Sequence, residues 1–241
     1  MICSRRWGLV QAAKKTVVLT GASRGLGLAL ARELVRLGHF VEACSRSGQG
    51  PRELGFSLQA VDVSDSRQVT RWACELLDRG CVPDILICNA AIINPPAPLW
   101  RATGSELHDV ISVNVLGTGY TLQALLPSMI KRKKGLIIIV SSGWGRTSAA
   151  EMAPYYASKW AVEGLAASLA HELPSSMAAV TLNPGIVKTD MLSKCWPERT
   201  QGYEPPDVWA GRAVDFILRL SARDNGCQLT VPAPIEIAEK D

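Results

Sequence analysis

The residues best suited to chemistry sit together in the C-terminal half of the chain. Tyr155 and Lys159 stand four apart in Tyr155-Tyr156-Ala157-Ser158-Lys159, so on a helix they share one face. Ser142 precedes Tyr155 and follows the apolar run Leu136–Ser141, a strand pattern that delivers its hydroxyl to a sheet edge. A phenol, an ammonium and a hydroxyl gathered there suit carbonyl reduction, which needs a hydride on carbon and a proton on oxygen. A free tyrosine, with a pKa near 10, is poorly matched to neutral pH. A lysine ammonium about 4 Å away, at an effective dielectric of about 20, contributes roughly 4 kcal/mol toward tyrosinate before desolvation is subtracted. Ser142 would hydrogen-bond the carbonyl oxygen and stabilise the charge growing on it. Tyr156 competes on composition, but only Tyr155 is four residues before Lys159.

A Y-x-x-x-K pair alone is a weak signal, and a second motif gives it a setting. The run Thr16–Thr20 leads into Thr20-Gly21-Ala22-Ser23-Arg24-Gly25-Leu26-Gly27, after which Leu26, Leu30, Leu34 and Leu37 form a helical stripe. Glycines let backbone N–H groups close on a pyrophosphate, and a helix N-terminus adds positive partial charge. The spacing is G-x-x-x-G-x-G rather than the general G-x-G-x-x-G fingerprint.

The elements that must position these groups alternate along the chain. Strands are predicted at Thr16–Thr20, Phe40–Cys44, Phe56–Val61, Ile85–Cys88, Leu136–Ser141, Ala178–Leu182 and Gln228–Val231. Several are apolar on successive residues, as strands covered on both faces must be. Helical patterns fall between them, at Ser66–Arg79, Ser105–Arg132, Pro154–Leu173 and Pro206–Ser221. The alternation predicts one α/β domain over 15–241, a doubly wound, Rossmann-type parallel sheet of about seven strands with helices on both faces, preceded by a flexible segment over 1–14. Asn94-Pro95-Pro96-Ala97-Pro98 cannot lie inside a helix or strand, and 190–205, with Cys195, Trp196, Pro197, Gly202 and Pro205, reads as a loop over the sheet's carboxyl edge.

Composition narrows the classes. A net charge of +4 on 241 residues gives no reason to invoke nucleic acid. The basic run Lys131-Arg132-Lys133-Lys134 reads as a helix C-terminus stopped by Gly135. No apolar run reaches the roughly 18 residues of a membrane span. Seven cysteines (Cys3, Cys44, Cys74, Cys81, Cys88, Cys195, Cys227) show no C-x-x-C spacing and no His partners, which implies reduced thiols, no metal and a cytoplasmic setting. The three histidines lie far from the motifs, and no G-x-S-x-G supports a hydrolase.

On these motifs the chain resembles the short-chain dehydrogenase/reductase family over residues 16–231. The resemblance implies catalysis by Ser142, Tyr155 and Lys159, the last two also touching the cofactor, with Asn114 of Val113-Asn114-Val115-Leu116-Gly117 bending a helix and relaying protons through water toward the lysine. It implies a nicotinamide dinucleotide on Gly21, Ser23, Arg24, Gly25, Leu26 and Gly27. Further along, Asp62 and Val63 would contact the adenine. Asn89 and Ala90, in a Cys88-Asn89-Ala90-Ala91 that departs from N-N-A-G at both ends, would contact the adenosine. Pro184, Gly185, Val187 and Thr189 would hold the carboxamide. The position that carries an acid in NAD-dependent members is Ser45, followed by Arg46. An acid would repel a 2′-phosphate, whereas Arg46 and Arg24 would hold it, so NADPH/NADP+ is expected. A small carbonyl substrate would meet Trp144, Ile93, Met191 and Trp196, with Trp100 near the same edge. The Ser141–Arg146, Ala153–Leu165 and C-terminal segments resemble members that reduce pterin and other aromatic aldehydes. A 3-oxoacyl thioester or ketone reductase, and a non-catalytic NADPH-binding regulator, are the alternatives. By analogy alone, a homo-dimer or homo-tetramer through the two long helices is expected. The segment Arg46–Gly55 is short for the family, so a helix there is expected to shrink to a turn.

Overall fold

The computed structural model describes residues 13–234 apart from 52, 197 and 199. The N-terminal segment expected over 1–14 falls almost wholly outside these residues, as does Pro197. Seven strands, β1 (Thr16–Thr20), β2 (Phe40–Ser45), β3 (Ser57–Ala60), β4 (Ile85–Cys88), β5 (Gly135–Val140), β6 (Met177–Asn183) and β7 (Gln228–Thr230), form one sheet in the order β3-β2-β1-β4-β5-β6-β7. Every pairing is parallel.

Because strand side chains alternate, successive apolar residues feed two separate layers. Val17, Leu19, Ile85, Ile87 and Ile138 pack into one core with α1 (Gly25–Arg36) and, later in the chain, α7 (Pro206–Arg219), whose Trp209 and Ile217 are buried there. Val18, Leu86, Ile137 and Ile139 pack into the other, under α2 (Ser66–Asp78), α4 (Gly117–Arg132) and α5 (Ala153–Glu172). Winding runs outward from β1 through β2 to β3, then restarts on the other side at β4. The crevice at such a reversal lies beyond the carboxyl ends of the strands, where the Gly-rich turn and Ser142 both emerge.

The structure departs from the sequence reading in three places. The stretch expected as one helix over Ser105–Arg132 is two helices, α3 (Gly104–Ile111) and α4, joined by a π-helical turn at Ser112–Leu116. Asn114 lies within that turn, at the place where the resemblance implied a bend. The 190–205 loop contains a short helix, α6 (Asp190–Cys195), capped by Thr189 Oγ1 accepting from Leu192 N at 3.3 Å. Gly135 does not stop α4. Lys133 takes the left-handed cap position (φ 53°), and Gly135 opens β5. Arg132 and Lys134 of the basic run both pair with Asp84, at 3.4 and 3.2 Å, so this charge is bound within the fold. Between β2 and β3 the described residues form turns and extended chain without a helix.

Candidate active site

The turn after β1 is built by close approach. Gly21 (φ +75°) and Gly25 (φ +57°) occupy the left-handed region that side chains avoid. A Cβ on Gly27 would lie 2.2 Å from Gly21 O and 2.5 Å from Asn89 Nδ2. The turn is locked to β4 from both sides. Thr20 Oγ1 accepts from the N–H groups of Asn89 and Ala90, each at 3.1 Å, and Asn89 Nδ2 donates to Thr20 O and Gly21 O at 3.0 and 3.1 Å. Asn89 therefore acts inside the protein, as the clamp that shapes the cradle. Helix α1 starts at Gly25 with no side-chain cap and no acid in its first turn, whereas Asp65 caps α2 and Thr103 caps α3. Its first N–H groups are left for an anion. Leu26 packs into the core below, and Ser23 is half-buried.

Around this turn lie the other expected cofactor residues. Ser45 is buried and its Oγ accepts from Gly48 N at 3.1 Å, while Arg46 and Arg24 are exposed and form no ion pair among the described residues. Glu42 points elsewhere, paired with Arg79 at 3.3 Å. Asp62 Oδ1 accepts from Ser64 N and Oγ at 2.9 and 2.6 Å, and Val63 packs where Gly117 leaves no room for a Cβ. Pro184 O accepts from Trp209 Nε1, Gly185 N donates to Asn183 Oδ1, and Val187 is buried. Thr189 Cγ2 would touch a Cβ on Gly25 at 3.8 Å, so this stretch sits beside the cradle. A cradle that a single methyl group would fill, an uncapped helix N-terminus and two unpaired arginines fit a phosphorylated dinucleotide.

Tyr155 and Lys159 are buried on one face of α5, at 7% and 3% exposure. Lys159 Nζ donates to Val140 O at 2.9 Å and lies 5.5 Å from the centre of the Tyr155 ring. Ser142 leaves β5 in extended conformation. Its Oγ accepts from Trp144 N at 3.2 Å and lies close enough to the Tyr155 phenol to favour its ionised form. Desolvation, left aside in the expectation of an acidified phenol, is the larger effect here. Burial pushes the Tyr155 pKa well above the ordinary tyrosine value, only partly opposed by Ser142. The physical reason is that the phenol is enclosed, so the cost of desolvating its charged form dominates. Burial also lowers Lys159, to about 8, with Glu163 pulling the other way.

Asn114 is buried and engaged on three sides. Oδ1 accepts from Ile92 N at 2.8 Å, and Nδ2 donates to Ile92 O and Ser158 Oγ, both at 2.9 Å. It ties the segment after β4 to α5, whose Ser158 in turn donates to Tyr155 O at 2.7 Å.

All four residues expected to meet substrate come together. Ile93, Trp144, Met191 and Trp196 pack with Met152, Tyr155, Tyr156 and Cys195 in one apolar cluster. Trp144 lies flat on Tyr156 (5.1 Å, 17°) and edge-on to Tyr155 (5.8 Å, 86°) and Trp196 (4.9 Å, 76°). Trp100, expected at the same edge, is outside the cluster and 84% exposed. Two features went unanticipated. Thr20 leads the Gly-rich turn, and its position in that motif was the available signal. Glu163, buried and paired with the partly exposed Arg146 at 3.1 Å, lies one helical turn past Lys159, and the i, i+4 spacing would have pointed to it.

Comparison with known proteins agrees with this geometry. The chain is 41% identical over 227 residues to an NADPH-dependent pterin aldehyde reductase of Arabidopsis thaliana, covering 91% of this chain and 94% of that one. It is 35% identical over 190 residues to the 3-oxoacyl-[acyl-carrier-protein] reductase MabA of Mycobacterium tuberculosis, covering 78% and 74%. Among solved structures, a 3-ketoacyl-(acyl-carrier-protein) reductase from Brucella melitensis complexed with NADH superposes with a TM-score of 0.81 at 26% identity, over 90% of this chain and 96% of that one. An alcohol dehydrogenase from Thermococcus sibiricus complexed with 5-hydroxy-NADP gives 0.77 at 29%, over 90% and 95%. The short chain dehydrogenase family profile matches residues 15–200, and the chain belongs to that family.

Proposed function

We propose that this protein reduces an aldehyde carried on a planar ring, a pterin or another aromatic, to the alcohol with NADPH. The observation that carries this reading is the placement of buried Tyr155 and Lys159 beside the half-buried Ser142, with Tyr155 packed into the Trp144–Tyr156–Trp196 cluster. NADPH, when bound, supplies the hydride. Ser142 holds the carbonyl oxygen. The Tyr155 phenol, kept protonated across neutral pH by its burial, gives that oxygen its proton. Lys159 supplies the positive charge that steadies a tyrosinate left behind, and Asn114 holds α5 in place. Flat aromatic walls favour a flat substrate over a flexible acyl chain. Arg24 at the start of α1 and Arg46 just after β2, both exposed and without an ion pair among the described residues, favour the 2′-phosphate of NADPH over a bare ribose. The similarity to the plant pterin aldehyde reductase over nearly its full length supports the substrate class.

Two further expectations belong to the same reading. Leu122, Leu126, Leu165 and Leu169 line an apolar groove between α4 and α5, with Ile130 exposed beside it, which supports a homo-oligomer through these helices. The six described cysteines are unpaired, which supports a reducing compartment such as the cytoplasm. No helix among the described residues is long and apolar enough to cross a membrane.

The test is a panel of pterin-6-aldehyde, a benzaldehyde, an aliphatic aldehyde and a 3-oxoacyl thioester, followed by loss of reduced-nicotinamide absorbance. Ring aldehydes are expected to give the highest kcat/KM. A higher value for the thioester replaces the substrate assignment, and tight NADPH binding with no turnover on any member replaces the enzyme by a binding protein.

A further inference from the structure

Glu163, one turn beyond Lys159 on α5, is a carboxylate whose side chain is 4% exposed. Its Oε1 accepts from Arg146 Nε at 3.1 Å and its Oε2 from Thr181 Oγ1 at 2.6 Å. Arg146 Nη2 donates to Thr181 Oγ1 and Leu229 O at 3.2 and 3.1 Å, and Nη1 reaches Thr230 Oγ1 at 3.4 Å. Desolvating such a pair consumes most of its Coulomb attraction, so the pair says little about stability by itself. Its position says more.

Arg146 closes the short Gly143–Gly145 turn that begins at Ser142. Packing beneath this turn is tight. A Cβ on Gly145 would lie 2.7 Å from Ser141 Oγ and 3.0 Å from both Glu163 Cγ and Lys159 O. One carboxylate thus anchors the far end of the Ser142 turn and lies a single helical turn from Lys159. Of the other titratable groups, Tyr155 shares the α5 face with Lys159, Arg146 on the turn pairs with Glu163, and Cys195 at the end of α6 packs with Tyr155. On α3, Glu106 is committed to the Thr103 cap, while His108 and Asp109 face each other at the surface. Strands β5 and β6 offer only the Val140 carbonyl and the Thr181 hydroxyl.

We propose that Glu163 is a positioning residue of the active site: through Arg146 it fixes the Ser142 turn, and its charge holds the Lys159 ammonium in place. The proposal rests on the reading of Ser142, Tyr155 and Lys159 as the reacting groups. Its electrostatic half agrees with the direction in which Glu163 moves Lys159, upward against burial.

Glu163→Gln keeps the shape of the side chain and removes the charge. The alkaline limb of the kcat–pH profile, set by loss of the Lys159 proton, is expected to fall by about one pH unit, which is about a fivefold loss of kcat near pH 8. Glu163→Asp restores the limb to its wild-type position. Arg146→Gln removes the competing cation while Thr181 still donates to Glu163, and the limb moves upward. Without cofactor, near pH 7, Lys159→Met raises the melting temperature more in the Glu163→Gln background than in the wild-type background. A limb that stays in place in Glu163→Gln, together with additive melting shifts, reduces the pair to scaffolding and overturns the proposal. If Glu163→Gln does not fold, an unmoved limb in Arg146→Gln overturns it equally. Full turnover in Tyr155→Phe is a different failure, that of the underlying site assignment.

Discussion

The dinucleotide cradle and the reacting face meet at the ends of the same strands, yet they are made by opposite means. The cradle is backbone. Its specificity lies in where side chains are missing, at Gly21 and Gly27, and in a clamp of neutral hydrogen bonds between Thr20 and Asn89. The reacting face is side chain. A phenol, an ammonium and a carboxylate are drawn out of water, and the resulting desolvation moves Tyr155 up and Lys159 down. The two halves should therefore fail differently. Damage to the cradle is steric and indifferent to pH, whereas damage to the reacting face is electrostatic and graded by pH.

The sharpest break in the cradle is Gly27→Ala. With 2.2 Å between the new methyl and Gly21 O, the turn must open, and NADPH affinity is expected to fall roughly 100-fold at every pH, with about 1–3 kcal/mol of stability lost to overpacking. Titration of the bound cofactor's fluorescence reads this, and unchanged affinity means the turn is not the cradle. On the reacting face, Lys159→Met should lower kcat by about 100-fold while stabilising the ligand-free fold near neutral pH. Lys159 has a folded pKa of about 8, below the ordinary lysine value. The folded state therefore binds fewer protons than the unfolded chain between these values, and wild-type stability rises with pH across that window. The advantage of the Met variant, about 2–3 kcal/mol below about pH 8, should close as pH climbs toward 10. Denaturant titrations at several pH values check it, and an advantage that does not vary with pH contradicts the electrostatic account.

Smaller effects sharpen the boundary between the halves. Ser45→Asp combined with Arg46→Ala places an acid where the 2′-phosphate is held, and the NADPH:NADH preference should fall about tenfold or more. An unchanged ratio moves the phosphate site elsewhere. Thr20→Val leaves the Asn89 and Ala90 N–H groups without their acceptor, for an expected loss of about 1–2 kcal/mol in stability and a few-fold in cofactor affinity. A silent Thr20→Val means the clamp is held by Asn89 alone.

Much of this was legible in the residues. Apolar runs such as Ile85–Cys88 on successive positions require cover on both faces, and that requirement gives the layers of the fold. The Gly-rich turn and the Tyr155–Lys159 register are local patterns, and local patterns survive folding. What was not legible depends on neighbours far along the chain. The sign of the Tyr155 shift follows from enclosure by Trp144 and the other members of its cluster, and sequence does not report enclosure. The turn at Ser112–Leu116 forms where Asn114 meets Ile92 and Ser158, contacts distant in sequence. Lys133 rather than Gly135 ends α4 because Gly135 is already paired in the sheet with Met177. Helix α6, like Thr20 and Glu163, had a local cue, a Thr189 cap three residues before Leu192.

Tyr155 is the proposed proton donor, set beside the cofactor cradle. Tyr155→Phe removes one hydroxyl from a side chain that is already buried, so packing and the cradle should persist. NADPH affinity is expected within about twofold of wild type, with kcat for pterin-6-aldehyde lower by about 100- to 10,000-fold. Undiminished turnover in that variant, at unchanged NADPH affinity, would contradict the assignment of the reacting groups.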